Sequence, residues 1–182
     1  MVPPPPFSLQ AAFMTDHQEI LPSYLLRPGF LFVPDEGTVI SAVLGSCVAV
    51  ALFDRKNRKG GMNHFLYPQA PAPENATTFY GNVATSTLIR IFLKEQPSKK
   101  HLEAMIFGGA VHASMPEARQ VAEKNVTIAQ SLLDKAGIPV SVRDTGGNRG
   151  RKVIFDTLSG ESLVYRVERL RSGDWYPYEG MR

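Results

Sequence analysis

The longest apolar stretch of the chain, residues 42–53, is interrupted near its start by Gly45-Ser46-Cys47. An apolar run without helical spacing is typical of strands that are buried on both faces. A glycine next to a serine favours a sharp turn. The sequence therefore predicts two buried strands, 38–43 and 48–53, that meet at this turn. The stretch is shorter than the roughly 20 residues that a membrane span needs, so we expect no membrane insertion.

Cysteine and histidine usage limits the class of protein. One cysteine in 182 residues excludes an internal disulfide and a Cys-Cys zinc pair. The chain needs no oxidising compartment and starts without the pattern of a secretory signal, so we expect a cytoplasmic protein. The four histidines lack metal-ligand spacing, and we expect no metal and no cofactor. The net charge of +3 is too small to indicate nucleic-acid binding.

The length fits one domain, which we place at residues 16–170. Residues 1–15 contain a run of four prolines and are expected to be a flexible lead-in, and residues 171–182 a tail. Basic residues gather in two groups near the end of the domain, and this is either an ordinary solvated surface or a face for an acidic partner. The two groups are Arg149, Arg151 and Lys152, and Arg166, Arg169 and Arg171.

The remaining elements indicate an α+β fold. Strands come first and then alternate irregularly with helices, which is not the strict alternation of a parallel α/β fold. We expect a mixed, mostly antiparallel sheet arrangement with two main helices. The predicted helices are 82–94 and 117–136, and the further strands are 29–33, 62–67, 102–107, 138–143, 152–156 and 162–168. A glycine-containing turn is expected over 54–61.

Cys47 is a candidate nucleophile because it follows the glycine turn at the mouth of a strand. A sharp turn leaves backbone N–H groups free, and these both lower a thiol pKa and stabilise an oxyanion. Such a site would suit acyl chemistry. The alternative is an inert buried cysteine, which is common in apolar runs.

His64 is the candidate base. It lies one tight turn beyond the strand of Cys47, and an antiparallel hairpin would bring both residues to the same end of the sheet. A thiol beside an imidazole forms an activated pair for acyl transfer. The alternative is a purely structural histidine. Spacing leaves the residue that orients His64 open among Thr38, Ser41, Ser46 and Asn63.

Two glycine-rich segments follow predicted strands, Gly108-Gly109 and residues 144–150. Neither matches a phosphate-binding loop, and both are suited to line the mouth of a cleft. Asn125 falls on the apolar stripe of the second helix, where an amide needs a hydrogen-bond partner. We expect Asn125 to brace one of these two glycine-rich segments.

Four segments in this order resemble the chemoreceptor glutamine deamidase family (CheD) across about residues 25–168. They are Leu-Gly-Ser-Cys-Val-Ala-Val at 44–50, Gly-Met-Asn-His-Phe-Leu-Tyr-Pro at 61–68, Gly-Gly-Ala at 108–110 and Asp-Thr-Gly-Gly-Asn-Arg-Gly-Arg at 144–151. The resemblance implies hydrolysis of glutamine side-chain amides on the cytoplasmic helices of bacterial chemotaxis receptors, giving glutamate and ammonia. It also implies a layered α/β sandwich and, in some members, binding to a response-regulator phosphatase of the chemotaxis system.

The resemblance implies Cys47 as nucleophile and His64 as general base. It places Ser41 where the family usually has a threonine, so a hydroxyl that can orient His64 is kept. Around these three we expect residues that bind substrate or support the oxyanion and the loops: Gly45, Ser46, Asn63, Gly108, Gly109, Asn125, Asp144, Thr145, Gly146, Gly147, Asn148 and Arg149. Two other functions stay open. One is a thiol hydrolase for receptor methyl esters or another amide, and the other is an inactive adaptor for the phosphatase.

Overall fold

The computed structural model describes residues 21–95, 98–113 and 115–167. The predicted lead-in and tail lie outside these residues. Within them the chain forms nine strands and two α-helices. The strands are β1 (Ser23–Leu25), β2 (Phe30–Phe32), β3 (Val39–Leu44), β4 (Val48–Asp54), β5 (Lys59–Phe65), β6 (Leu102–Gly108), β7 (Val140–Thr145), β8 (Gly150–Asp156) and β9 (Ser162–Val167), and the helices are α1 (Gly81–Glu95) and α2 (Arg119–Ala136).

The strands form two sheets. One has the order β1-β3-β8-β9 and the other β2-β5-β4-β6-β7. Neighbouring strands are antiparallel except for the parallel pairs β1–β3 and β6–β7. Both helices pack on the five-stranded sheet. The predicted α+β sandwich with mixed, mostly antiparallel sheets and two main helices is confirmed.

Strand β4 is buried on both faces, as its sequence predicts. Successive side chains of a strand point to opposite faces, so its residues divide between two apolar cores. One core lies between the two sheets and includes Ala49, Ala51 and Phe53. The other lies between the five-stranded sheet and the helices and includes Val50 and Leu52. A polar residue at any of these positions would lack a partner, which explains the continuous apolar run.

Several ends of elements differ from the prediction, among them the starts of β5 and α2. The predicted turn 54–61 is shorter, because β5 already begins at Lys59. Gly60 and Gly61 belong to the strand, where a Cβ would lie 2.8 Å from the ring of Phe155 and 2.6 Å from Val33 respectively. These glycines therefore serve close packing rather than the turn. Residues 117 and 118, predicted as the start of the second helix, belong to a 3₁₀ turn, Pro116–Ala118, that precedes α2.

Two loops cross between the sheets at the same end of the sandwich. Residues 45–47 lead from β3 in the four-stranded sheet to β4 in the five-stranded sheet. Residues 146–149 lead back from β7 to β8. The end of β6 lies between them, because it pairs with both β4 and β7. Three of the glycine-containing segments are thereby collected at one edge of the fold.

Candidate active site

The crossing that carries Cys47 is held by backbone hydrogen bonds to the segment after β6. The N–H of Gly109 donates to the carbonyl of Cys47 at 2.8 Å, and the N–H of Ala110 donates to that of Gly45 at 2.8 Å. Cys47 itself is buried, with 7% of its surface exposed. The position of the thiol is therefore fixed by main-chain contacts on both sides of Ser46.

Gly108 is a glycine for a steric reason. Its φ of +108° lies in a region that residues with a Cβ rarely adopt. A Cβ there would also lie 2.2 Å from the carbonyl oxygen of Cys47. The predicted Gly108-Gly109 pair thus lies against the segment that carries Cys47. Gly109 is similarly confined, because its Cβ would meet Val126 at 2.6 Å.

His64 lies in β5, opposite Ala49 of β4, and is fully buried. Cys47 is two residues before Ala49, so the two candidates are diagonal neighbours at one end of the hairpin, as predicted. The Nδ1 of His64 lies 3.1 Å from the carbonyl oxygen of Leu26. A carbonyl only accepts, so Nδ1 carries the hydrogen and Nε2 is the basic nitrogen of the neutral ring. Nε2 is buried without a hydrogen-bond partner, and that includes the thiol.

Both groups are neutral at pH 7. Burial lowers the pKa of His64 to about 4, although the hydrogen bond to Leu26 opposes the shift. Burial also raises the pKa of the Cys47 thiol, and backbone hydrogen bonds at Gly45 and Cys47 oppose this only in part. The expected lowering of the thiol pKa by the turn is therefore wrong for the resting protein, because desolvation of the thiolate outweighs the backbone groups.

Ser41 lies in β3 and is connected to His64 through the backbone. Its carbonyl accepts the N–H of Leu26 at 2.7 Å, and the carbonyl of Leu26 in turn accepts from His64. No hydrogen bond joins the Ser41 hydroxyl to His64, because Nδ1 of the ring bonds to Leu26 and Nε2 has no partner. The role of the hydroxyl stays a prediction. Leu26 was not foreseen, because a backbone carbonyl leaves no signature in the residue type.

Asn125 is fully buried, but the predicted partner segments are wrong. Its Nδ2 donates to the carbonyl of Ser46 at 3.1 Å and to that of Leu66 at 2.8 Å. Neither Gly108-Gly109 nor residues 144–150 receive a hydrogen bond from this amide. Asn125 therefore joins the turn that carries Cys47 to the residue that follows the strand of His64. Its Oδ1 is buried without a partner.

Asn63 does not face the Cys47–His64 pair. It is one residue from His64 and so points to the opposite face of β5. Its Oδ1 accepts the N–H of Val50 at 3.0 Å, and its Nδ2 lies 3.4 Å from the hydroxyl of Thr85. Asn63 thereby links β5 to β4 and to α1. It supports the sheet beneath the site rather than the site itself.

The segment 144–150 reaches the same edge through backbone hydrogen bonds. Gly146 donates to the carbonyl of Gly108, and Val111 donates to that of Gly147, each at 2.9 Å. Asp144 and Thr145, predicted as loop residues, are the last two residues of β7 because they continue the parallel pairing with β6. The loop proper is therefore shorter than predicted.

Arg151 fixes this loop from within the sandwich. Its Nε donates to Asp144 at 2.7 Å and its Nη2 to the carbonyl of Gly146 at 2.7 Å, while its side chain is 3% exposed. Burial alone would raise the pKa of Asp144, but the hydrogen bonds and charges of Arg151 and Arg166 outweigh it and lower that pKa. The sequence signalled Arg151 only as one of several basic residues.

Other kinds of site have less support. In the described part of the chain, no three His, Cys, Asp or Glu side chains are grouped so that they could hold a metal ion. Among the same residues, no helix is long and apolar enough to cross a bilayer. The expectation that no cofactor is needed stays a prediction.

Residues 67–166 match the family model described as "CheD chemotactic sensory transduction". That is more than half of the chain. The chain belongs to the CheD family. The matched segment begins after His64, so the CheD model match itself does not include Ser41, Cys47 or His64.

CheD relatives cover more of the chain. A protein of Trichlorobacter lovleyi named "Probable chemoreceptor glutamine deamidase CheD" is 40% identical over 144 residues, 79% of this chain and 89% of the relative. "Probable chemoreceptor glutamine deamidase CheD 1" of Anaeromyxobacter dehalogenans is 44% identical over 78% of this chain and 83% of its own. A CheD relative from Rhodospirillum rubrum is 42% identical over 81% of this chain and 84% of the relative. A solved structure, "Crystal structure of Bacillus licheniformis hypothetical protein YfiH", aligns with a TM-score of 0.38 at 13% identity over 59% of this chain and 49% of that chain.

Proposed function

We propose that this protein hydrolyses glutamine side-chain amides on the cytoplasmic helices of chemotaxis receptors, with Cys47 as nucleophile and His64 as general base. The observation that carries the proposal is the buried, unpartnered Nε2 of His64 beside the turn that holds Cys47. A buried nitrogen without a hydrogen-bond partner destabilises the fold, and a catalytic role is one explanation for such an atom in a native structure. The names of the CheD relatives support the substrate class.

The proposed reaction begins when Nε2 of His64 takes the thiol proton of Cys47. The sulfur attacks the amide carbon, and the carbon–oxygen double bond opens to an oxyanion. Backbone N–H groups of the turn at Gly45, Ser46 and Cys47 are suited to stabilise it. The imidazolium gives its proton to the nitrogen, ammonia leaves and a thioester remains. His64 then deprotonates water, which attacks the thioester, and returns the proton to the sulfur as glutamate is released.

The neutral resting pair fits this order of events. A thiol that is neutral and buried is inert until its proton has an acceptor, and Nε2 is the acceptor on the same side of the sheet. The Nδ1–H bond to Leu26 keeps the ring in the reactive tautomer throughout. We propose that Ser41 contributes as a positioning residue, through the carbonyl that holds Leu26. The loops at Gly108 and Gly146 support the turn from the other side.

Two variants test the proposal on receptor peptides that contain the target glutamines. Wild type is expected to convert glutamine to glutamate with release of ammonia, read by mass spectrometry and an ammonia assay. Cys47→Ala is expected to lower the rate by at least about 10³-fold, the scale of losing a covalent nucleophile. Cys47→Ser is the matched variant, because it replaces the thiol with a hydroxyl in a side chain of similar size. Conversion that survives Cys47→Ala would rule out the nucleophile.

The same protein variants distinguish deamidation from the two alternative functions, ester hydrolysis and an adaptor role. Peptides with glutamate methyl esters test for ester hydrolysis by the same pair. An adaptor for the phosphatase would bind its partner equally well as wild type and as Cys47→Ala and would modify no peptide. We expect amide hydrolysis to exceed ester hydrolysis, and the reverse order would reassign the activity.

A further inference from the structure

A polar cavity of about 450 Å³ lies at the crossing between β7 and β8. It is lined by residues 145–149 together with Arg151 and Arg166. Thr145 pairs with Gly108, and Gly108 pairs with Val48. Neighbouring strands lie about 4.8 Å apart, so the cavity begins roughly 10 Å from the strand that follows Cys47.

The crossing that carries Cys47 approaches the same cavity from the four-stranded sheet. Leu44, the residue before the Gly45 turn, pairs with Arg151, and Arg151 pairs with Arg166. The cavity and the nucleophile turn are therefore adjacent on both sheets. A substrate segment that presents its glutamine to Cys47 can therefore extend into this cavity.

The lining of the cavity is cationic. Among the residues that the structure describes, it contains three arginines, Arg149, Arg151 and Arg166, and no acidic residue. Asp144 lies behind it and bonds to Arg151 at 2.7 Å and to Arg166 at 3.3 Å. Arg151 and Arg166 share this one carboxylate, which balances only part of the charge of the two. Arg166 remains 61% exposed while paired, so its guanidinium can also meet a second acceptor.

The loop is preorganised for a ligand. Arg151 donates to the carbonyl of Gly146, and the N–H of Gly146 donates to the carbonyl of Gly108. The loop is therefore fixed at its start to both sheets. A rigid site loses little conformational entropy on binding, which favours recognition of a small anionic group.

We propose that this cavity is a subsite for a carboxylate of the substrate, located one to two helical turns from the target glutamine. The proposal rests on the proposed function. A helix rises about 1.5 Å per residue, so 10 Å corresponds to roughly seven residues, and the length of an arginine side chain extends the reach to nearer residues. Guanidinium groups match carboxylates by paired hydrogen bonds, which a neutral side chain cannot offer.

The test uses helical peptides that contain one glutamine and carry either glutamate or serine three to seven residues away on both sides. Binding to full-length Cys47→Ala is measured by fluorescence anisotropy, and kcat/KM is measured with an otherwise wild-type chain. The acidic peptide is expected to be preferred by about fivefold at low ionic strength, the scale of a partly exposed ion pair. High salt is expected to remove the preference.

Charge reversal locates the subsite. Arg149→Glu is expected to abolish the preference for the acidic peptide and to favour a lysine-flanked one. Arg166→Gln is expected to weaken the preference without reversing it. Arg90→Glu is the matched control, because Arg90 is an exposed arginine on α1, away from the cavity. Equal binding of acidic and neutral peptides, or equal effects of Arg90→Glu and Arg149→Glu, would overturn the subsite.

The two readouts separate failure of this inference from failure of the proposed function. Deamidation that depends on Cys47 but ignores the flanking charge removes the subsite and leaves the activity. An acidic preference in binding without deamidation of any peptide keeps the anion site and removes the proposed reaction.

Discussion

The carbonyl oxygen of Leu26 lies 3.1 Å from the Nδ1 of His64 and determines which nitrogen of the ring is basic. A side-chain carboxylate in this position would hold a positive charge on the ring, whereas a carbonyl dipole does so only weakly. Burial therefore dominates and keeps His64 neutral. The interaction orients the base without making it a permanent cation, and the first two predictions follow from that.

The free energy of unfolding is expected to fall as pH drops from about 6.5 to about 4. In this range the unfolded state binds a proton at His64 and the folded state does not, since the folded pKa is about 4 against 6.5. The shift corresponds to about 3 kcal/mol once both forms are protonated. Urea denaturation at pH 7, 5.5 and 4.5 measures it. The depressed pKa of Asp144 acts only as pH falls below its unfolded value of 3.8, outside this range.

The control is His64→Gln, which keeps a hydrogen-bond donor towards Leu26 but does not titrate. Its unfolding free energy is expected to change much less between pH 6.5 and 4.5. An equally steep dependence in this variant would show that another group is responsible.

The pH dependence of kcat/KM is expected to have an acid limb near pH 4, well below that of an ordinary histidine. The limb reports the protonation of the base in the free enzyme, and His64 stays unprotonated until the pH falls to about 4. Initial rates of ammonia release between pH 3.5 and 8 measure it, corrected for unfolding by circular dichroism. A limb between pH 6 and 7 in the folded protein would contradict the burial argument.

Replacement of Gly108 by alanine is expected to reduce activity and stability together. The new Cβ would lie 2.2 Å from the carbonyl of Cys47, and the φ of +108° is unfavourable for alanine. We expect a loss of about 2–4 kcal/mol, above the cost of the backbone conformation alone. Gly146→Ala is the matched control, since its φ is +72° and nothing lies within 4 Å of its Cβ. Equal costs at both positions would exclude the clash.

Asn125→Leu is expected to lower the free energy of unfolding by about 1–3 kcal/mol, because the carbonyls of Ser46 and Leu66 lose their buried donor. kcat is expected to fall as well, since Ser46 adjoins Cys47. Thr127→Ala, on the exposed side of the same helix, should change neither quantity appreciably. Thermal melts measure the change in stability, and single-turnover rates measure the change in catalysis. A variant with normal kcat would show that Asn125 contributes to stability alone.

Asp144→Asn is expected to destabilise the fold by about 3 kcal/mol, because it leaves the buried guanidinium of Arg151 without its counter-ion. Glu123→Gln removes an ion pair with Arg119 that is about two-thirds exposed, and should cost no more than about 0.5 kcal/mol. Chemical denaturation at pH 7 compares them. Similar costs would mean that the burial of Arg151 is not decisive.

The parts of the site that were predictable are those governed by local pattern. The apolar run identified β4, and the short connection to the next strand placed His64 beside the start of β4. The partners of His64 and Asn125 were not predictable, because both bind backbone carbonyls of distant segments. Any residue type offers such a carbonyl, so composition and spacing carry no information about it.

The same limit explains the errors at element ends. Gly60 and Gly61 have the composition of a turn, yet they lie in β5 because Phe155 and Val33 occupy the space above them. Asp144 precedes two glycines and suits a loop, but pairing with β6 extends the strand through it. In both places a neighbour that is remote in sequence determines the backbone.

Cys47 lies in a segment anchored in both sheets, whereas His64 belongs to one of them. The separation of the sheets is determined by apolar side chains between them, among them Met62, Phe107 and Phe155. We therefore expect the distance between the Cys47 sulfur and the His64 ring to depend on the volume of these core side chains. We therefore expect the rate of the proposed reaction to change with conservative substitutions that alter side-chain volume in this core, while every polar residue of the site stays the same.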